Sequence, residues 1–209
     1  MHIFLLSRTD YLRDALREAI EKETAAQGNR IAYISSEPQI GEKLFYQSTI
    51  QDYSVINPNA HVDYFDLSDA FSDNDLSALK EYGTIYLSGG NTFMFMDMAR
   101  RRNLYPILKA HGENGGLLIG ASAGALMMTP SISLAAVADE NTPGLTDLSG
   151  FSFADFEFHP HYIGSAEEND FLRAHRDVVK TLYACKDGDG VFYSNGEIKI
   201  FGDVSVFMA

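Results

Sequence analysis

Ser122 lies in Gly120-Ala121-Ser122-Ala123-Gly124, a G-x-S-x-G spacing that can turn a hydroxyl into a nucleophile. Such a serine needs a sharp turn that lifts it above a sheet edge. It also needs small neighbours, because a larger side chain would collide with the helix that leaves the turn. Leu117, Leu118 and Ile119 read as a strand buried on both faces, and Ala125 to Met128 resume as a helix. That helix aims its first N–H groups at the place where an oxyanion would form. The pentapeptide alone fits a structural serine in a glycine-rich turn equally well. The strand before it and the helix after it favour the nucleophile.

A serine nucleophile needs a base within hydrogen-bond reach, and the base needs an orienting acid. His161 is the first candidate base: it follows a short strand expected at 156–158 and a proline, in a polar turn. His159 is two positions away, so on extended chain its ring points to the opposite side. His2, His61, His111 and His175 have weaker contexts, the last two as surface residues of predicted helices. For the acid, Asp139, Glu140 and Asp187 stand as candidates. A second glycine turn, Ser88-Gly89-Gly90-Asn91-Thr92, also follows a strand. Gly90 N–H and Ala123 N–H are the candidate oxyanion donors, with Gly89 and Asn91 beside them as substrate-facing residues. A phosphate loop is the rival reading, but both G-x-x-x-x-G-K-[ST] and G-x-G-x-x-G are missing there. Lys186 to Gly190 has the look of a calcium-loop fragment, yet it is short and lacks the closing glutamate. With no H-E-x-x-H and no C-x-x-C, neither a metal nor a cofactor is expected.

The chain has 209 residues, 45% of them apolar, which suits one domain (residues 1–209) with a sizeable core. A net charge of −13 leaves no basic surface for nucleic acid or anionic membrane. Cys185 is the single cysteine, so no intramolecular disulfide forms. No apolar run approaches the length of about 18 residues that spans a bilayer. The N-terminal apolar run is too short for a signal peptide. A cytoplasmic protein is expected, with small peptides as substrate and a homodimer as its assembly.

The elements that must position these residues alternate. Strands are expected at 2–6, 30–34, 62–65 and 84–87, ahead of the one that carries Ser122. Helices are expected at 11–26, 41–51, 73–80 (capped by Ser72 or Asp73), 93–102 and 104–111. This alternation predicts an α/β fold with a mostly parallel sheet, whose chemistry sits at the carboxyl ends of its strands. Both glycine turns then share one rim. Further on, a short strand at 134–138, a helix at 167–182 and a closing antiparallel meander are expected. The meander's strands are 190–193, 198–201 and 204–207, with Asn195-Gly196 as a type I′ turn.

Four of these pieces together resemble the aspartyl dipeptidase (peptidase E) and cyanophycinase group of serine peptidases. They are SGGNTF at Ser88 to Phe93, GASAGA at Gly120 to Ala125, HPHY at His159 to Tyr162, and Asp187-Gly188 before the closing strands. The family's stretches read close to GGGNTF, GWSAGA, NPHF and Glu-Gly, in the same order. The likeness runs from about Tyr82 to Gly202 and more loosely over the N-terminal units. It implies a flavodoxin-like α/β fold akin to class I glutamine amidotransferase domains, with helices on both faces, a serine in place of their cysteine, and a C-terminal antiparallel extension. It implies Ser122 as nucleophile, His161 as base, and Gly90 and Ala123 as oxyanion donors. For the acid, family alignments point to Asp139 and the fold's geometry to Asp187. Aspartyl dipeptidases carry arginine after the histidine to hold the substrate's aspartate. The matching stretch here, Ser165 to Asp170, is acidic, with Arg173 and Arg176 beyond it. The expectation is therefore a small-peptide serine hydrolase without strict aspartyl specificity. A small-molecule esterase or amidase, or an inactive binding homologue, is the alternative.

Overall fold

A computed structural model of the chain describes residues 1–35, 43–67, 73–177 and 179–208. Five strands form a parallel sheet: β1 (His2–Leu6), β2 (Arg30–Ser35), β3 (His61–Asp66), β4 (Thr84–Leu87) and β5 (Leu117–Ala121). Two more extend it: β8 (Gly190–Ser194) pairs antiparallel with β1, and β9 (Glu197–Phe201) antiparallel with β8, giving the order β3-β2-β4-β5-β1-β8-β9. The strands are near-continuous apolar runs because helices cover both faces. Ile3, Leu5, Ile85, Leu87 and Leu118 face the helices α4 (Thr92–Arg101) and α5 (Tyr105–Glu113), with α6 (Ala123–Met127) and α7 (Ala166–His175). Phe4, Leu6, Ile31, Tyr33, Tyr86 and Ile119 face the other way, toward α1 (Asp14–Ala26) and α2 (Leu44–Ile56). α1 buries Leu16, Ile20 and Thr24, four residues apart on one stripe. It ends where Gly28 and Asn29 take positive φ.

A second sheet, ordered β10-β7-β6, consists of β6 (Glu157–His159), β7 (Leu182–Ala184) and β10 (Ser205–Phe207). Here the chain departs from the sequence reading. The expected meander is only a hairpin, β8–β9, turned by Asn195 and Gly196 at φ 51° and 90°. Its third strand crosses to pair with β7. The helix expected to reach 182 stops at His175; Arg176 is already extended, and Leu182 begins β7. The strand expected at 134–138 is a 3-10 helix, Ser133–Val137, and belongs to neither sheet among the described residues. The helix expected at 73–80 divides into α3 (Asp73–Ala78) and a 3-10 turn, Leu79–Glu81. The expected cap Ser72 and the start of the 41–51 helix, at 41–42, lie outside the described residues. Among the described residues no helix is long and apolar enough to cross a membrane.

The pairing register places the candidate site. β4, β5 and β1 are neighbours, with Leu87 opposite Gly120 and Leu6 opposite Ala121. Their carboxyl ends therefore deliver Gly89-Gly90, Ser122 and Ser7 to one rim. β8 runs antiparallel with Gly190 opposite Leu6, so the turn before it, carrying Asp187, reaches the same rim. β6 and β7 pair in parallel with His159 opposite Ala184. The chain beyond β6 therefore stands beside that turn.

Candidate active site

Ser122 is the N-cap of α6, at φ 52° and ψ −112°, a backbone conformation a non-glycine residue rarely adopts. Strain of this kind is worth roughly 1–3 kcal/mol and persists only where the surroundings enforce it. Its two glycines do the enforcing. A Cβ on Gly120 would lie 2.5 Å from Gly124 O, and one on Gly124 would lie 2.3 Å from Leu87 O. Only glycine lets β5, α6 and β4 approach so closely. Ser122 N donates to Leu6 O and Gly124 N to Ser88 O, tying the turn to both neighbouring strands.

His161 also has positive φ, 57°. Its Nε2 stands 2.9 Å from Ser122 Oγ, and its Nδ1 stands 2.6 Å from Asp187 Oδ1. Burial alone would raise the Asp187 carboxyl. The hydrogen bonds from His161 and Ser7, with the charge of Arg8, outweigh it and hold Asp187 below the ordinary carboxylate range. Asp139 is elsewhere on the wall. Its Oδ2 accepts from Thr92 N at 2.8 Å, and both ring nitrogens of His161 already have other partners. Asn91 accepts from Met94 N and donates to the backbone oxygen of Glu140. Asn91 and Asp139 thus fasten the start of α4, and with it Gly90 (φ 118°), to the 139–140 loop. The N–H groups of Gly90 and Ala123 have no acceptor among the described residues. Gly89 packs against Ser122: a Cβ there would sit 3.5 Å from the serine Cβ.

The chain is similar to known proteins. The sequence model of peptidase family S51 matches residues 3–201. The chain belongs to peptidase family S51. It is a serine-type peptidase, a hydrolase. An uncharacterized peptidase of Pasteurella multocida (strain Pm70) is 30% identical over 157 residues, which cover 74% of this chain and 73% of that one. Peptidase E of Salmonella gallinarum (strain 287/91 / NCTC 13346) is 26% identical over 134 residues, 58% of this chain and 55% of its own. A solved structure of a candidate peptidase E from Listeria monocytogenes EGD-e superposes with a TM-score of 0.79 at 20% identity, covering 96% of this chain and 97% of that one. At that identity the likeness is one of fold.

Two residues of this S51 chain escaped the sequence reading. Ser7, fully buried at the end of β1, accepts from His161 N and donates to Asp187 Oδ1, both at 2.8 Å. No motif surrounds it; only its place after the first strand could have marked it. Glu168 lies in the acidic stretch Ser165 to Asp170. Its Oε2 accepts from Ile163 N and Gly164 N, and its Oε1 faces His159 Nε2 at 2.9 Å. Burial lowers the His159 imidazole pKa against the pull of Glu168. Glu168 itself resists burial and is lowered by His159, Gly164 and Ile163. A neutral imidazole donating to a carboxylate satisfies both. The Ser165-x-x-Glu168 spacing was the available signal, since Ser165 Oγ caps Glu168 N. Arg173 pairs with Asp170, and Arg176 donates to the backbone of Lys180 and Met208. Neither lines the cavities at Ser122. His111, expected at the surface, is half-buried, with its Nε2 at 3.1 Å from Leu117 O.

Proposed function

We propose that the chain hydrolyses small peptides in the cytoplasm through a Ser122–His161–Asp187 triad, on a nucleophile elbow with a backbone oxyanion hole. The observation that carries this is the placement of His161, with one ring nitrogen on Ser122 Oγ and the other on Asp187. His161 Nε2 takes the Ser122 proton as Oγ attacks the peptide carbonyl carbon. The carbonyl oxygen becomes an oxyanion and is held by the N–H groups of Gly90 and Ala123, which have no other acceptor among the described residues. A donor of this kind lowers the barrier by roughly 3–4 kcal/mol. Asp187 orients the ring and stabilises the imidazolium. The imidazolium then gives its proton to the departing amine as the C–N bond breaks. Water enters with His161 again as base, the acyl–oxygen bond breaks, and Ser122 is restored.

Asp139 acts in this scheme by fastening the start of α4, and so Gly90, rather than by orienting His161. The test is a dipeptide library assayed with wild type and Ser122→Ala. Turnover by the wild type that falls at least about a thousandfold in the variant supports the reading. Equal turnover by both, or ester cleavage without any dipeptide cleavage, contradicts it.

A further inference from the structure

Two cavities share Ser122 and His161 as a common wall. One, of about 330 Å³, is bounded chiefly by apolar side chains such as Leu126, Leu134, Val137 and Ile163. Its acids are already engaged by backbone amides: Asp139 by Thr92, Glu168 by Ile163 and Gly164. The other, of about 320 Å³, extends from Gly90 and Ser122 past Thr9 to Asp52 on α2. That volume holds a whole side chain rather than an ammonium group alone.

The charges along the second cavity are unequal. Among the described residues its lining carries one cation, Arg8, and two carboxylates, Asp10 and Asp52. Arg8 is engaged on all three nitrogens. Nε and Nη2 donate to the two oxygens of Asp10, and Nη1 lies 3.8 Å from Asp187 Oδ2. Asp52 accepts only from Thr9 Oγ1, at 2.6 Å, and has no ion-pair partner among the described residues. It is half-buried; burial and the charge of Asp10 raise its carboxyl, against the Thr9 hydrogen bond and the more distant charge of Arg8. A carboxylate shielded from water without a directly paired counter-ion is costly, and an incoming cation lowers that cost. The rim suits the stem of such a cation: Phe45 there is 63% exposed. Aromatic faces accept methylene stems and attract cationic heads. An acidic side chain would meet Asp52 with no unengaged cation to balance it.

We infer that this cavity takes a basic side chain, so that the enzyme acts on dipeptides containing lysine or arginine, with Asp52 as the charge partner. The inference rests on the proposed hydrolysis at Ser122. It departs from aspartyl recognition, for which an unengaged arginine would be needed.

The test uses matched dipeptides that differ only in charge: arginine against citrulline, lysine against norleucine, and aspartate against asparagine, each at either position. kcat and KM are measured for wild type and Asp52→Asn. Binding of the same dipeptides to Ser122→Ala is measured by calorimetry, which needs no turnover. Arginine should exceed citrulline by about tenfold or more in kcat/KM, mainly through KM, and the ratio should fall toward one in Asp52→Asn. The calorimetric affinities should show the same preference. A ratio near one in the wild type, a preference for aspartate, or a ratio that survives Asp52→Asn overturns the inference. Ser122-dependent cleavage of neutral dipeptides without charge discrimination would overturn it while leaving the proposed hydrolysis intact. Charge-selective binding without Ser122-dependent cleavage would do the reverse.

Discussion

Ser7 Oγ donates to Asp187 Oδ1 at 2.8 Å, and the same oxygen of Asp187 faces His161 Nδ1 at 2.6 Å. Because Ser7 also accepts from His161 N, one hydroxyl fixes both the Asp187 carboxylate and the backbone of His161. Removing it should act on the site rather than on the whole fold. Ser7→Ala is expected to lower kcat roughly tenfold, a barrier change of about 1.4 kcal/mol. One of the bonds that lower Asp187 would be gone, so its carboxyl should rise toward the ordinary range. The stability a lowered carboxylate contributes is present above its unfolded value and lost as pH falls through its folded value. The acid-side loss of stability should therefore set in at higher pH in Ser7→Ala than in the wild type. Urea denaturation of the two proteins across the acid range checks this, and an onset that stays in place would contradict it.

Asp187 and Asp139 should separate cleanly. Asp187→Asn leaves the geometry but deprives His161 of its ionised partner, and a loss of about 10³–10⁴-fold in kcat is expected. Asp139→Asn weakens the hold on Thr92 N at the start of α4, where capping bonds are worth about 1 kcal/mol. Its main effect should be on stability, with a much smaller loss of rate. Steady-state kinetics and chemical denaturation on both variants distinguish the two roles.

The glycines at the turn divide in the same manner. Gly124→Ala puts a methyl 2.3 Å from Leu87 O, where backbone must move, so destabilisation of at least about 1–3 kcal/mol is expected. Gly89→Ala meets Ser122 Cβ at 3.5 Å, an ordinary contact. That variant should fold like the wild type yet turn over more slowly, because the methyl also lies 4.0 Å from Ser122 Oγ. Melting temperatures beside kinetics for the two variants test the contrast.

Glu157 offers a pH test remote from the chemistry. It is fully buried on β6, and its Oε1 has no hydrogen-bond partner among the described residues. Burial pushes its carboxyl from the ordinary 4.5 to about 7, against the hydrogen bond from Asp177 N. A folded value above the unfolded one means that stability falls as pH rises toward and through about 7. Glu157→Gln should therefore be more stable than wild type at pH 8, by about 2–3 kcal/mol, with the difference fading near pH 4. Urea denaturation at the two pH values measures it.

Local chemistry was legible in the sequence; long-range pairing was not. Ser122 sits among five consecutive residues whose sizes dictate the turn, so the strand, serine and helix could be read directly. His161 could be named from its place after a strand. The choice between Asp139 and Asp187 could not be made, because Asp187 reaches His161 only through the β6–β7 and β1–β8 pairings, which join distant segments. Ser7 was invisible for the same reason: its partners are 154 and 180 residues away. The 134–138 run misled because a short apolar stretch does not distinguish strand from helix, and only a neighbouring strand edge would decide it. The expected meander failed likewise: nothing local to Ser205–Phe207 says that it pairs with β7 instead of β9.

The most direct test of the account is covalent. Ser122 should be the single residue modified when the protein is treated with a fluorophosphonate, a reagent that phosphonylates activated serines. Intact-mass and peptide mapping should place one adduct on Ser122 in the wild type, a greatly slowed adduct in His161→Ala, and none in Ser122→Ala. Labelling of a different residue, or dipeptide hydrolysis that survives complete labelling of Ser122, would contradict the account.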